Sequence, residues 1–332
     1  MAERSQLDAG LTAFAEALKA RGLRPLNPVT APLADCRAMQ ARVAAVLNEG
    51  SVPLTHEREV AVPGAGGSIP CRLYLPDGKA RPPLLIYAHG GSFALGSLDA
   101  WDGMLRELVR GSGVAVLSVG YRLAPEHRFP AGFDDMLAAV RYAAREGAAL
   151  GIDPARLAVG GDSAGGNLAL AAAIALRDAG ASPLAFMLLI YGVYSTDSSG
   201  PTWAELGTGN YGLSAAQMDW IWATYLNAPA ERHDFRVAPL AAPMAGLPPA
   251  HLIVGDLDPL TGDSHALAQR LADAHVPHSL TVYQGLTHGF IRSGPYSATV
   301  KRAVSACASA LAHVWVKGRR GKALDSCAVY IT

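Results

Sequence analysis

A serine set between glycines is the first place in this chain where chemistry can be read. Gly161-Asp162-Ser163-Ala164-Gly165 follows the apolar run Leu157-Ala158-Val159 and opens an alanine-rich stretch of helical composition. Strand, sharp turn and helix in that order make a nucleophile elbow, whose glycines let the chain turn so tightly that the serine hydroxyl stands exposed. The helix start beyond it offers free N–H groups and a positive dipole end to negative charge developing beside Ser163. A second glycine loop, His89-Gly90-Gly91-Ser92-Phe93, comes directly after the apolar run Leu84–Ala88. Alone it is as readily an ordinary turn. Next to an elbow it reads as the other half of a site for a tetrahedral oxyanion, because successive N–H groups converge there. His89 and Gly90 read as support for that loop, not as an acid or base.

A serine hydroxyl is a poor nucleophile and needs a base with an orienting carboxylate. Hydrolases with an elbow carry serine, acid and histidine in that chain order. His288, in Leu286-Thr287-His288-Gly289-Phe290, lies in a loop following the expected strand at 279–283. That is the carboxyl end of a late strand, where open α/β sheets gather their sites. His251 lies at a strand start, and His265, His275 and His278 lie in or beside a helix, so these read as structural. For the acid, Gly255-Asp256-Leu257-Asp258-Pro259-Leu260 offers two carboxylates after the run 251–254, with Asp263 slightly later. Spacing alone does not separate Asp256 from Asp258. A calcium site on these three is excluded by the missing EF-hand spacing and terminal glutamate.

These residues need elements to position them. Leu7, Leu11, Phe14 and Leu18, then Leu33, Cys36, Met39, Val43 and Val46, recur at helical spacing near the start. Strands are expected at 59–62, 71–75, 84–88, 114–119, 157–160, 184–190, 251–254 and 279–283. Helices are expected at 135–149, 164–179, 264–274 and 297–316. That alternation predicts an α/β fold with a mostly parallel sheet and helices on both faces. Residues 195–247 break it with turn residues and one aromatic helix, 215–226, carrying Trp220, Trp222 and Tyr225. The division that follows is 51–194 and 236–316 as the α/β body, with the N-terminal helices, 1–50, and an insertion, 195–235, placed to cover the carboxyl edge of its sheet. Residues 317–332, with Lys317, Arg319, Arg320 and Lys322, read as a solvated or appended tail.

Composition narrows the classes. The 332 residues carry 28 Lys+Arg against 28 Asp+Glu, so the electrostatic footprint of a nucleic-acid binder is missing. Hydrophobic residues are 50% and charged ones 17%, which excludes a disordered chain. Cys36, Cys71, Cys307 and Cys327 are too far apart for a zinc spacing and read as free thiols. Glu3, Arg4 and Asp8 stand where a signal peptide needs apolar residues, and no run reaches membrane-span length. The expectation is a cytoplasmic protein of a reducing compartment, needing neither cofactor nor metal.

The chain resembles the hormone-sensitive-lipase-like family of α/β-hydrolases, bacterial carboxylesterases with an HGG loop and a GDSAGG elbow. The resemblance rests on His89 to Phe93, on Tyr121-Arg122-Leu123-Ala124-Pro125-Glu126-His127, on Phe129-Pro130-Ala131, on Gly160 to Asn167, on Asp258-Pro259-Leu260 and on His288-Gly289-Phe290. It covers about 50–316. It implies Ser163 as nucleophile, Asp258 as acid through the family's DPL motif, and His288 as base. Oxyanion donors map to the N–H groups of Gly91, Ser92 and Ala164, and the family's cap domain maps to the N-terminal helices of 1–50 plus the 195–235 insertion. Short acyl esters are the implied substrates, with Phe93, Asp162, Tyr211, Trp220 and Trp222 as candidate pocket residues and an edge-strand homodimer as a possible assembly. An amidase or acyltransferase would use the same residues; a non-catalytic ligand-binding receptor would have lost one. Two departures stand out. Ser92 replaces the family's third loop glycine, which demands either a negative φ or left-handed strain there. Thr261-Gly262 replaces a common Arg-Asp. Arg122, Glu126 and Asp134 are expected to form one salt-bridged network.

Overall fold

Apolar runs with no polar alternation must be covered on both faces, and the centre of the sheet is built that way. A computed structural model of the chain describes residues 5–316 and 328–331. Its elements begin with α1 (Ala9–Ala20), α2 (Leu33–Leu47), β1 (His56–Gly64), β2 (Gly67–Leu75), β3 (Leu84–Ala88), α3 (Asp102–Ser112), β4 (Ala115–Val119), α4 (Ala131–Leu150) and β5 (Leu157–Asp162). They continue with α5 (Ala164–Asp178), β6 (Leu184–Ile190), α6 (Pro201–Leu206), α7 (Ala215–Tyr225), β7 (Ala250–Leu257), α8 (Thr261–Asp273), β8 (His278–Thr287), α9 (Ala298–Val316) and β9 (Ala328–Ile331). The sheet order is β1-β2-β4-β3-β5-β6-β7-β8-β9, antiparallel at the first two junctions and parallel thereafter. Every residue of β3, β4 and β5 is buried. Successive side chains point to opposite faces, so both faces of these strands are covered. Helices α3 and α9 pack together, α4 packs on α5, and α8 lies on β7 and β8.

Register does the positioning. Ala88 at the end of β3 stands beside Gly161 of β5, so the loops after them emerge side by side. Leu257 stands beside Thr287, which brings the residues after each, Asp258 and His288, to the same edge.

Two outlying segments meet this edge. Helices α1 and α2 share a small core of Leu18, Leu23, Val43, Val46 and Leu47, closed by Phe14, Met39 and Tyr296. From α2, Arg37 donates to the carbonyls of Ala94 and Ala124, each at 2.9 Å, and Gln40 accepts the Gly96 N–H at 2.7 Å. From the stretch between β6 and β7, α7 presents buried Trp222 and Tyr225. Ser214 caps its start by accepting the Gln217 N–H.

Several elements depart from the expectations. Helix α3 lies in an interval where no element was expected; it buries Met104, Leu105, Leu108 and Val109 along one stripe. Strand β1 runs longer than 59–62 because its ends, His56-Glu57-Arg58 and Pro63-Gly64, carry no apolar alternation. Helix α6 adds order to the turn-rich stretch. Ala328–Ile331 pairs in parallel with β8, so this part of the tail is an edge strand rather than solvated chain. The basic run from Lys317 and Cys327 lie outside the described residues; Cys36, Cys71 and Cys307 are free and buried. Among the described residues no helix is long and apolar enough to cross a membrane.

Candidate active site

The turn after β5 forces Ser163 into φ +54° and ψ −118°, a region that side chains avoid. Close packing imposes it. A Cβ on Gly161 would collide with Gly165 and the Ala88 carbonyl, and one on Gly165 would fall on that same carbonyl. The Ser163 N–H is held by the Ile190 carbonyl at 2.9 Å. Its Oγ is thereby set 2.9 Å from His288 Nε2, and His288 Nδ1 lies 2.9 Å from Asp258 Oδ2. The Asp258 side chain is fully buried and that of His288 is 10% exposed. The other Asp258 oxygen accepts the Leu260 N–H at 2.8 Å, which fixes the carboxylate plane. Asp256 takes no part: its Oδ1 accepts the Gly285 N–H at 2.8 Å, where the β7–β8 register shifts. A carboxylate on Nδ1 leaves Nε2 as the basic nitrogen facing the hydroxyl.

The glycine loop after β3 comes next to Ser163. Gly91 has φ +125°, Ser92 +59° and Phe93 +57°. Ser92 therefore takes the left-handed option, at a cost of roughly 1–3 kcal/mol that only surrounding structure can offset. Among the described residues, no acceptor is found for the N–H groups of Gly91, Ser92 or Ala164. Open N–H groups gathered beside a serine can receive negative charge that develops there.

The loop is braced from behind. The Asp162 carboxylate is buried and accepts the Gly90 N–H at 2.9 Å and the Tyr87 hydroxyl at 2.8 Å. Its candidate place in the pocket is thus corrected: it faces the back of the loop. Burial raises its pKa, against Tyr87, Arg292 and Gly90, which favour the charged form. His89 is buried, stacked between Trp101 and Tyr121 with centroids 4.9 and 4.5 Å away, and Nδ1 lies 2.7 Å from the Gly90 carbonyl. Burial lowers its pKa to about 4, which keeps the ring neutral and suits it to holding the loop. Tyr121 donates to the His89 carbonyl at 2.8 Å. The Arg292 guanidinium covers the outer side of Trp101, 4.4 Å from its centroid.

The other pocket candidates divide. Phe93 stacks on Tyr225 with centroids 4.0 Å apart and planes 6° apart, and Trp222 lies at 6.2 Å. Phe93 and Trp222 are each only 2% exposed, so they join the loop to α7 as packed core. The Tyr211 carbonyl accepts the His288 N–H at 3.0 Å, which lays that loop on the histidine. Trp220 is partly buried at the margin of the core. The expected charged network separates into pairs: Arg122 holds buried Asp135 at 2.8 Å, and Glu126 holds Arg37 at 2.7 Å. Asp134 faces Arg236 instead, with Arg122 a weaker influence.

Sequence reasoning missed the side chains that brace the site from behind. Tyr87 and Tyr191 are at strand ends beside the site; Tyr191 packs edge-on against His288 with centroids 5.1 Å apart. Asp263, weighed only as a third carboxylate, accepts the N–H groups of Tyr194 and Ser195 at 2.7 and 2.9 Å. Burial pushes it up to about 7 against those two bonds.

Comparison with known proteins agrees with this geometry. The alpha/beta hydrolase fold family matches residues 85–292. An ethyl acetate hydrolase of Pseudomonas putida is 40% identical over 235 residues, spanning 69% of this chain and 73% of that protein. The carboxylesterase NlhH of Mycobacterium tuberculosis is 38% identical over 240 residues, spanning 71% and 75%. Among solved structures, a hyperthermophilic esterase from the archaeon Pyrobaculum calidifontis superposes with a TM-score of 0.88 at 32% identity, covering 93% of this chain and 98% of that one. With the HGGS loop and the GDSAGG elbow joined at one sheet edge, the chain belongs to the hormone-sensitive-lipase-like carboxylesterases of the α/β-hydrolase fold.

Proposed function

We propose that the protein is a serine carboxylesterase of short-chain acyl esters, working through an acyl-enzyme. The observation that carries this is the unbroken line from Ser163 Oγ through the His288 ring to Asp258, with both contacts at 2.9 Å. Ser163 attacks the ester carbonyl while His288 takes its proton at Nε2, and Asp258 holds the tautomer and the imidazolium that forms. The N–H groups of Gly91, Ser92 and Ala164 receive the negative oxygen, each contributing on the order of 3 kcal/mol. His288 then protonates the leaving alcohol, and water repeats the sequence on the acyl-enzyme. This route uses only side chains and backbone of the chain itself.

Short acyl chains are supported by the named activity of the Pseudomonas putida relative, whose substrate carries a two-carbon acyl group. In this reading 1–50 and 195–235 form the cap over 51–194 and 236–316, since α2 and α7 converge on the loop from Phe93 to Gly96. Hydrolysis of p-nitrophenyl esters of graded acyl length, wild type beside Ser163→Ala, tests it. Turnover of short esters and a loss of at least about a thousandfold in the variant are expected. Folded wild type inert on every ester would overturn the reading in favour of amides or ligand binding.

A further inference from the structure

Ser92 stands where a glycine would cost the backbone least. Its φ of +59° is left-handed, and the residues on both sides of it, Gly91 and Phe93, also have positive φ. A side chain kept in such a conformation is an outlier from which function can be argued, because glycine adopts it freely. The hydroxyl is idle within the chain: Ser92 is half-buried, and among the described residues its Oγ has no hydrogen-bond partner. Serines in turns ordinarily spend their hydroxyl on nearby backbone groups, as Ser195 and Ser214 do here with the N–H groups of Asp197 and Gln217. Ser92 does not.

Covalent geometry limits where that hydroxyl can act. Oγ is two bonds from the Cα whose N–H is one of the open donors, so an oxygen held by the Ser92 N–H lies within the sweep of the Ser92 hydroxyl. We infer that the Ser92 side chain is itself a catalytic donor: its O–H supplies a further hydrogen bond to the oxyanion of the tetrahedral intermediate, beside the N–H groups of Gly91, Ser92 and Ala164. No covalent step is added. The hydroxyl keeps its proton throughout and only reorients toward the oxygen as charge develops on it. The inference rests on the esterase reading, since it names one more contact of that site.

Two variants separate the hydroxyl from the backbone. Ser92→Ala keeps the Cβ and the left-handed strain but removes the donor. Ser92→Gly removes donor and strain together. On a short p-nitrophenyl ester, both variants are expected to lose kcat by about 100-fold, the lower end for one oxyanion donor, with KM nearly unchanged. Inhibition by a trifluoromethyl ketone, whose adduct with Ser163 carries the oxyanion, should weaken in both by the same factor as kcat/KM. The melting temperature of Ser92→Gly should not fall. A merely structural serine would instead show loss of stability and no parallel loss of ketone affinity.

Wild-type kcat in both variants overturns the inference while leaving the esterase reading intact, because Ser163→Ala in the same assay reports on that reading separately. A loss in Ser92→Ala alone, with Ser92→Gly at the wild-type rate, also overturns it, since the Cβ rather than the hydroxyl would then be at issue. Wild type inert on every ester removes both.

Discussion

Around Ser163 the carboxyl ends of β3, β5 and β6 are joined by hydrogen bonds: Asp162 accepts the Gly90 N–H and the Tyr87 hydroxyl, and the Ser163 N–H donates to the Ile190 carbonyl. The segments that meet them from outside hold on differently. Helix α2 reaches the loop with Arg37 and Gln40, and α7 lays Tyr225 on Phe93. Arg37 and its partner Glu126 have side chains 31% and 54% exposed, so that pair is screened and contributes little. Buried hydrogen bonds fix geometry to a fraction of an ångström, and leaving one unmade costs more than an exposed pair gains. The platform is therefore the more firmly held of the two; in the proposed reading it holds charge in place while the outer segments exclude water and shape the entrance.

The largest effect is expected within the platform, between two aspartates two residues apart. Asp258→Asn should lower kcat by about 10⁴-fold, because the amide favours the wrong imidazole tautomer. Asp256→Asn should leave kcat close to wild type, since that carboxylate only braces Gly285. Steady-state kinetics on one short ester decides, and equal losses would contradict the assignment. Next comes the brace. Asp162→Ala strands the Gly90 N–H and the Tyr87 hydroxyl, so kcat should fall by about 100-fold as the oxyanion donors shift. Stability should fall by about 1–3 kcal/mol, read from urea unfolding. A stable variant with full kcat would show that the loop holds itself.

The smallest effect on catalysis is expected at the junction of the two regions. Asp263 ties the start of the 195–235 insertion, through Ser195, to α8. Burial pushes its carboxyl up to about 7. The folded state then binds a proton that the unfolded chain has released, so stability is lost as pH rises from about 4 to about 7. The full loss is on the order of 4 kcal/mol. Asp263→Asn removes that titration, and its melting temperature should gain on wild type between pH 5 and pH 8. A difference between the two that does not change with pH would mean the carboxyl is ionised throughout.

The contrast also explains what could be read from the chain. Ser163, Asp258 and His288 were legible because each follows a strand that is largely buried, and a strand end points its next residue at the site. The resemblance, not spacing, chose Asp258 over Asp256; the structure supplies a physical reason in the separate contact that Asp256 makes with Gly285. Asp162 misled because its place in the elbow says nothing about which side of the turn its carboxylate takes. The braces were illegible for a related reason: Tyr87 reads as one more apolar residue of β3, and its hydroxyl acts on a residue 75 positions away. Helix α3 carries a clear stripe, Met104, Leu105, Leu108 and Val109, yet the charged residues between them dilute the apolar signal. The outer segments resist reading most. Phe93, Trp222 and Tyr225 have the composition of a substrate pocket and the burial of a core.

The most direct measurement is covalent labelling of the nucleophile. Wild type treated with diethyl p-nitrophenyl phosphate should gain one diethylphosphoryl group per chain by intact-protein mass spectrometry. Peptide mapping should place it on Ser163, and esterase activity should vanish in proportion to labelling. Ser163→Ala should take up none. Full activity in protein labelled at Ser163, or inactivation with the label on another residue, would contradict the account.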